Sequence, residues 1–281
     1  MTRDIPASKI TETVARLCQQ ANCFLPEDVW RSLEESSLKE KTETGRDVFQ
    51  QVMENARIAA QKGIALCQDT GITDIFLAIG QDVHVSGENV VDAINDGVAK
   101  GYREGYLRKS IVSNPLHRKN TGDNTPAQIY TEIVPGDKVR ITVLPKGGGS
   151  ENASALKMLE PAAGWQGIKE FILETVTTKG VNACPPLVVG VGIGGSFSSV
   201  PGLAKKSLLR ELGKFSDDFY YAEREKELLK EINKTGVGPM GLGGAITALA
   251  VAIEYAPCHI ASLPVAVSIQ CHSCRRRSEV I

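Results

Sequence analysis

Two neighbouring segments of alternating apolar and polar residues constrain the fold most strongly. Residues 128–134 and 138–144 flank the tripeptide Pro135-Gly136-Asp137. Alternation with a period of two residues is typical of a half-buried strand, and Pro followed by Gly is typical of the centre of a type II turn. The pattern therefore predicts a β-hairpin.

Amphipathic helices and short apolar strands are mixed along the rest of the chain. Apolar residues recur at helical spacing in 46–62 and 90–108, whereas 74–80 reads as a buried strand. Further helices are predicted at 11–37, 164–179, 202–212, 217–234 and 245–254, and further strands at 187–191 and 263–269. This mixture predicts an α/β fold, with α+β as the alternative. We expect a single domain over 1–281, with a helical lead-in over about 1–45 and helices packed on mixed sheets.

Composition excludes several classes of protein. The chain has 281 residues, 42% of them hydrophobic and 23% charged, and its formal net charge is −1, which is an ordinary globular profile. The basic run Arg275-Arg276-Arg277 is interpreted as a solvated end or part of a subunit contact, so nucleic acid is not expected as the main partner.

Targeting signals and cysteine usage indicate the compartment. Residues 1–10 contain no apolar core typical of a signal peptide, and the longest apolar stretch, 245–269, is interrupted by Glu254, His259 and two prolines. No membrane span is therefore expected. Seven cysteines, an odd number, indicate a reducing compartment and not a disulfide framework. Together these features predict a cytoplasmic protein.

A polar cluster lies in the connection between the helix 46–62 and the strand 74–80. Cys67, Gln68 and Asp69 stand side by side there, followed by Thr70 and Gly71. Connections between packed elements often carry functional residues. On composition alone, a partly buried cysteine beside an ordinary turn is the more common explanation.

Two glycine-rich segments allow more than one interpretation. The triplet 147–149 indicates either a close approach of the backbone to another group or an unusual turn. Gly190, Gly192 and Gly195 fit the spacing of a dinucleotide-binding loop, but a charged helix stands where the strand with an acidic ribose partner is required. A loop whose N–H groups face an anion fits this second segment equally well.

The cysteines and the acid–base groups leave two types of metal centre open. Cys271 and Cys274 have C-x2-C spacing, and Cys258-His259 lies upstream, which allows a zinc site. Cys67, Cys184 and Cys271 each stand at the end of an element, and an iron–sulfur cluster can draw its thiolates from distant loops. Asp69 and His259 are the candidate acid–base groups, although a lone histidine before an apolar run is more often structural.

Five motifs, in order, resemble the α subunit or N-terminal half of the iron–sulfur class I fumarate hydratase and tartrate dehydratase family. They are Leu66-Cys67-Gln68-Asp69-Thr70-Gly71, Lys146-Gly147-Gly148-Gly149-Ser150, Asn182-Ala183-Cys184-Pro185-Pro186, the segment 238–244, and the segment 258–272. Residues 149–150 and 258–264 look more like the fumarase versions of these motifs.

The resemblance implies a site and an activity. Cys67, Cys184 and Cys271 would hold a [4Fe-4S] cluster at three corners, and the fourth iron would bind substrate. Asp69 and His259 would be catalytic, and the positions that match substrate contacts are Gln68, Arg108 and Gly148. The expected reaction is the reversible hydration of fumarate to (S)-malate, a step of the tricarboxylic acid cycle. Dehydration of tartrate or another hydroxy-dicarboxylate is the alternative.

The resemblance also implies a partner. The second half of the family's sequence is absent, so we expect a β subunit to close the site, activity only with that subunit, and a heteromer such as α2β2. The cysteine at position 274 departs from the family pattern, and the role of Cys274 is left open. The alternative from another class is a non-catalytic regulatory subunit that binds zinc or a nucleotide.

Overall fold

The computed structural model describes residues 2–281, which divide into two compact units. Unit 1 comprises residues 2–26, 56–148 and 275–281, and unit 2 comprises residues 27–55 and 149–274. Both units combine helices with mixed sheets, so the predicted α/β class is confirmed. The single domain expected over 1–281 stays a prediction beside this division.

Ten strands and eight α-helices follow one another along the described residues. The strands are β1 (Arg3–Pro6), β2 (Ile72–Gly80), β3 (Val83–Ser86), β4 (Gln128–Val134), β5 (Val139–Lys146), β6 (Ala155–Leu159), β7 (Leu187–Gly194), β8 (Ala248–Ala256), β9 (Leu263–Gln270) and β10 (Arg277–Val280). The helices are α1 (Ala7–Cys23), α2 (Glu27–Lys39), α3 (Glu43–Lys62), α4 (Val90–Glu104), α5 (Gly148–Asn152), α6 (Gly164–Thr178), α7 (Val200–Ser207) and α8 (Phe219–Lys234). Every helix within residues 2–281 is too short or too polar to span a bilayer.

Unit 1 is built on a four-stranded sheet in the order β10-β5-β2-β4. Helices α1 and α4 pack against each other and contribute Ile10, Val14 and Ile94 to a core that also contains Ile75 and Ile141 from the sheet. The short strands β1 and β3 pair in parallel. The sheet and its helices therefore support the connection that leads into β2.

The predicted hairpin is wrong, although both of its strands form. β2 lies between β4 and β5, parallel to the first and antiparallel to the second. The turn crosses the end of β2, where Gly80 N donates to Lys138 O at 2.8 Å and Asp82 N donates to Gly136 O at 2.9 Å. Alternation reports the faces of a strand but not its neighbours. A buried central strand satisfies its backbone groups only when it is paired on both edges.

Unit 2 contains a second sheet, in the order β6-β9-β7-β8. β7 is buried along its whole length, parallel to β8 and antiparallel to β9. Val189 and Val191 share a core with residues of α6 and α8. The glycines of β7 stand on the other face, against α7, where a Cβ on Gly190 would lie 2.3 Å from the carbonyl oxygen of Ala204. Gly190 and Gly192 therefore belong to a strand packed closely on a helix and not to a phosphate-binding loop.

Two further predictions are corrected by the structure. The helix predicted at 245–254 is wrong, because Ala248–Ala256 is strand β8. Its small residues carry little helical periodicity, and pairing with β7 overrides the helix propensity of alanine. The lead-in predicted at 11–37 forms two helices, α1 and α2, separated by a break that contains Pro26.

Candidate functional site

The polar cluster of unit 1 lies in the connection between α3 and β2. Cys67 and Gln68 are exposed there, Asp69 is half-buried and Thr70 is buried. The Asp69 carboxylate is fixed by backbone donors, because Oδ1 accepts from Gly71 N at 3.0 Å and Oδ2 accepts from Gly148 N at 2.7 Å. A carboxylate held by two N–H groups has a defined orientation beside the exposed thiol.

Of the two interpretations of the glycine triplet, the close approach is found, and the group approached is Asp69. A Cβ on Gly147 would lie 3.0 Å from Asp69 Oδ2. Gly71, at φ +75°, faces Lys146, where a Cβ would meet the carbonyl oxygen at 2.5 Å. Gly148, a position that matches substrate contacts, donates its N–H to Asp69.

Three consecutive carbonyl groups of this connection accept hydrogen bonds from buried side chains. Asp69 O accepts from Arg275 Nη2 at 3.0 Å, Thr70 O accepts from the Tyr102 hydroxyl at 2.8 Å, and Gly71 O accepts from Asn124 Nδ2 at 3.2 Å. Burial raises the pKa of Tyr102, which keeps its hydroxyl protonated as a donor. The backbone is therefore held from below while Cys67 and Gln68 face solvent.

The interpretation of Arg275 as part of a solvated end or subunit contact is wrong. Its side chain is 2% exposed and its Nη1 donates to Asn22 Oδ1 at 3.0 Å. Asn22, Tyr102 and Asn124 also support this connection and are not predicted from the sequence. No local pattern indicates these residues, because Asn22 contacts the side chain of Arg275, and Tyr102 and Asn124 donate to the carbonyl groups of Thr70 and Gly71, all far away along the chain.

Arg108 lies near the same connection. Its carbonyl oxygen accepts a hydrogen bond from Thr70 Oγ1 at 2.8 Å, and the residue is exposed to solvent. The structure therefore groups Cys67, Gln68 and Asp69 with the backbone of Arg108 and of Gly148 in unit 1.

Unit 2 brings together two of the predicted cluster ligands. Cys184 precedes β7 and Cys271 follows β9. Because these strands are antiparallel, both residues lie at the same edge of the sheet, the edge where β7 begins and β9 ends. His272 N donates to Cys184 O at 3.4 Å, and His272 Nδ1 lies 3.2 Å from the same oxygen. Cys184 is exposed and has a φ of +54°. Cys67 belongs to unit 1, and its convergence with these two sulfurs stays a prediction.

Glu40 is a buried carboxylate that holds the glycine-rich segment 238–244, a loop that lies beside Cys184. Glu40 is 3% exposed and accepts from the backbone N–H groups of Lys41, Thr42, Ala245 and Ile246 at 2.8 to 3.1 Å. Burial alone would raise the pKa of Glu40, but these N–H donors outweigh it and lower the pKa. Within the loop, Met240 N donates to Pro185 O at 2.8 Å. The loop is thus connected to the backbone next to Cys184.

His259 lies at the opposite edge of this sheet, where β7 and β8 end. It follows β8, whose end is in register with the end of β7 at Gly194. A strand of this length spans about 25 Å, so His259 does not share an edge with Cys184 and Cys271 in unit 2. The residue is exposed, and its Nδ1 accepts from Ala261 N at 3.1 Å.

The seven thiols differ in solvent exposure, and the three predicted cluster ligands are among the accessible ones. None of the seven cysteines, all within residues 2–281, forms a disulfide. Cys18, Cys23 and Cys274 are buried, and burial raises the pKa of Cys18 to about 12. Cys67 and Cys184 are exposed and Cys271 is half-buried. Metal ligation needs an accessible thiol that can lose its proton, so the predicted set is suited to hold iron and the buried set is not.

The local zinc site is not formed in this structure. Cys274 Sγ is buried and lies 4.0 Å from Leu208 O. Cys258 follows β8 and so stands at the opposite edge of the sheet from Cys271. Over the described part of the chain, no group of three His, Cys, Asp or Glu side chains is assembled that could hold a metal ion. Thiolates of a cluster bind separate irons and so lie farther apart than the ligands of one ion.

The fold and the site together define a mixed α/β chain with accessible thiols and an oriented carboxylate at the ends of its elements. The family model described as Fumarate hydratase (Fumerase) matches residues 11–280. The chain therefore belongs to the family of iron–sulfur hydro-lyase α subunits, as the resemblance predicted.

Named relatives agree with this family. The chain is 46% identical over 274 residues, 95% of this chain and 96% of the relative, to a Methanocaldococcus jannaschii protein named "Putative L(+)-tartrate dehydratase subunit alpha". It is 32% identical over 272 residues, 96% of this chain and 89% of the relative, to the L(+)-tartrate dehydratase subunit alpha of Escherichia coli K12.

Proposed function

We propose that this chain is the α subunit of an iron–sulfur hydro-lyase that catalyses the reversible hydration of fumarate to (S)-malate. The observation that carries the proposal is the fixed Asp69 carboxylate, which accepts from Gly148 N at 2.7 Å and lies two residues from the exposed thiol of Cys67. Proton transfer at carbon needs an acid–base group of defined orientation, which a fixed carboxylate can be.

The chain's own residues have distinct roles in this proposal. Cys67, Cys184 and Cys271 would hold a [4Fe-4S] cluster, which when bound supplies a Lewis-acidic iron for the hydroxyl group of the substrate. The Arg108 guanidinium binds a substrate carboxylate, because its planar donors match two carboxylate oxygens. Asp69 moves the carbon-bound proton.

The remaining predicted contacts carry less of the proposal. Gln68 is exposed beside Cys67 and offers an amide to the substrate. Gly148 contributes through its N–H to Asp69, and its contact with substrate stays a prediction. His259 stands at the opposite edge of its sheet from Cys184, and its catalytic role in the proposed reaction stays a prediction.

A second subunit completes the proposed enzyme. The named relatives are alpha subunits, which supports a β-subunit partner for this chain. A small dicarboxylate is the proposed substrate, a heteromer such as α2β2 the proposed assembly, and the cytoplasm the proposed location.

Dehydration of L(+)-tartrate is the second candidate, because the relatives cited above carry that name. The distinguishing experiment is co-expression of this chain with its β subunit, followed by anaerobic reconstitution with iron and sulfide. We expect fumarate hydration with a kcat/KM at least about tenfold above that for tartrate, a difference of about 1.4 kcal/mol in transition-state stabilisation. The reverse ratio would replace fumarase by tartrate dehydratase, and activity on neither diacid would refute both.

The cluster ligands can be tested separately from the substrate. Cys184→Ser should abolish the bound iron and sulfide and the visible absorbance of the reconstituted protein. Cys258→Ser is the matched control, because Cys258 is also exposed but lies at the opposite edge of the sheet. Equal iron content in both variants would contradict the assignment of Cys184.

A further inference from the structure

The side chains of Asn22 and Arg275 lie together beneath the connection that carries Cys67 and Asp69. Arg275 Nη1 donates to Asn22 Oδ1 at 3.0 Å, although 253 residues separate them. Asn22 is also fixed in α1, where its Nδ2 donates to Cys18 O at 2.9 Å. Both side chains are almost fully buried.

This pair contacts the connection on both sides of Cys67. The carbonyl oxygen of Asn22 accepts from Leu66 N at 2.8 Å, and Arg275 Nη2 donates to Asp69 O at 3.0 Å. The segment 66–69 is therefore attached to the pair at its first and its last residue. Cys67 and Gln68 lie between these attachments and are exposed.

The guanidinium of Arg275 is placed at a high energetic cost. Its hydrogen-bond acceptors, Asn22 Oδ1 and Asp69 O, are neutral, and its Nε is buried with no hydrogen-bond acceptor among residues 2–281. A buried cation without a carboxylate partner is normally unfavourable. A neutral donor would serve a purely structural purpose at lower cost, so the presence of the charge indicates a role at the adjacent site, where Asp69 and an anionic substrate are proposed to meet.

We propose that Asn22 and Arg275 form a buried bracket that positions the segment 66–69, which makes Arg275 a positioning residue for the reaction. This inference rests on the proposed function for its catalytic consequence. Its geometric part concerns the α chain alone. The bracket fixes the backbone of Asp69 while Gly148 fixes the carboxylate, so both ends of the acid–base residue are held. A displacement of about 1 Å in such a group can cost a hundredfold in rate.

The geometric part is tested by hydrogen exchange on the full-length α chain without cluster. Arg275→Gln should accelerate exchange at Leu66 at least about tenfold, because the bracket loses its charged donor. Asn22→Ala should produce the same effect, and the double variant should add little to either. Arg277→Gln is the control, since the Nη2 of Arg277 donates to the exposed carbonyl of Phe24. Unchanged exchange at Leu66 in Arg275→Gln would overturn the bracket.

The catalytic part is tested on the reconstituted complex with the β subunit, with turnover expressed per bound cluster. Arg275→Gln should lower kcat at least about tenfold, and Arg275→Lys should recover part of that loss by donating to one of the two acceptors. A merely structural role would reduce the amount of folded protein and leave turnover per cluster unchanged, which would overturn the inference. Labelling of the buried Cys18 identifies a variant that has unfolded. If the wild-type complex acts on neither diacid, the proposed function fails. The exchange experiment still decides whether Asn22 and Arg275 hold the segment 66–69.

Discussion

Replacing Glu40 with Gln tests how a buried carboxylate holds the loop beside Cys184. Oε2 of Glu40 accepts from the N–H groups of Ala245 and Ile246, at 2.9 and 3.0 Å, and Oε1 accepts from those of Lys41 and Thr42, at 2.8 and 3.0 Å. In either orientation, the amide nitrogen of Gln faces two backbone N–H groups. Each buried donor left without an acceptor costs about 1–3 kcal/mol, so we expect a loss of about 2–6 kcal/mol.

Urea unfolding measures this loss. With a slope of about 3 kcal/mol per molar urea, the midpoint of Glu40→Gln should fall by about 0.7–2 M. Glu27→Gln is the matched control, because Glu27 is an exposed residue in a surface pair with Arg31 at 3.7 Å. Equal midpoints for wild type and Glu40→Gln would refute the reasoning.

The same variant makes a prediction about pH. The pKa of Glu40 is lower in the folded chain than its ordinary value of 4.5. Its contribution to the free energy of unfolding is therefore fully present above the unfolded pKa and is lost as pH falls through the folded pKa. The stability difference between wild type and Glu40→Gln should shrink as the pH is lowered from about 6 to about 3. A difference that stays constant over this range would contradict the assignment of a charged Glu40.

Three further variants or reagents test the packing described above. Gly190→Ala should cost about 1–3 kcal/mol by overpacking, because the added Cβ lies 2.3 Å from Ala204 O; an unchanged urea midpoint would contradict this contact. Tyr102→Phe leaves Thr70 O without the donor at 2.8 Å and should cost about 1–3 kcal/mol, with a lower melting temperature as the measurement. Because burial raises the pKa of Cys18 to about 12, maleimide near neutral pH should leave Cys18 unlabelled in the native chain while it labels Cys258; rapid labelling of Cys18 would contradict its burial.

Most elements could be predicted from the sequence, because periodicity reports which face of an element is buried. The helices α3, α4, α6 and α8 and the strands β2, β7 and β9 follow their predicted positions within a few residues. Pairing is a different property. The insertion of β2 between β4 and β5 depends on contacts between distant segments. Likewise, the segment predicted as a helix at 245–254 forms a strand because its backbone pairs with β7.

The site was predictable only in part, for a similar physical reason. Cys67, Gln68 and Asp69 are neighbours in sequence and remain neighbours in the fold, and the glycine triplet signalled a close approach that proved to be to Asp69. Arg275 stands in a basic run that resembles a solvated surface, and its burial follows from acceptors that no local pattern reveals. The position of His259 follows from the direction of β8, which the sequence had presented as a helix.

The long separation between Asn22 and Arg275 has a consequence for synthesis of the chain. The ribosome must add 253 residues after Asn22 before its partner exists, which takes roughly ten to fifty seconds at ordinary elongation rates. During that interval the nascent polypeptide carries an exposed thiol at Cys67 on a segment whose final attachment has not yet been made. Iron and sulfide delivered before residue 275 is made would meet an incomplete binding segment, so assembly of the proposed cluster is expected to follow synthesis of Arg275.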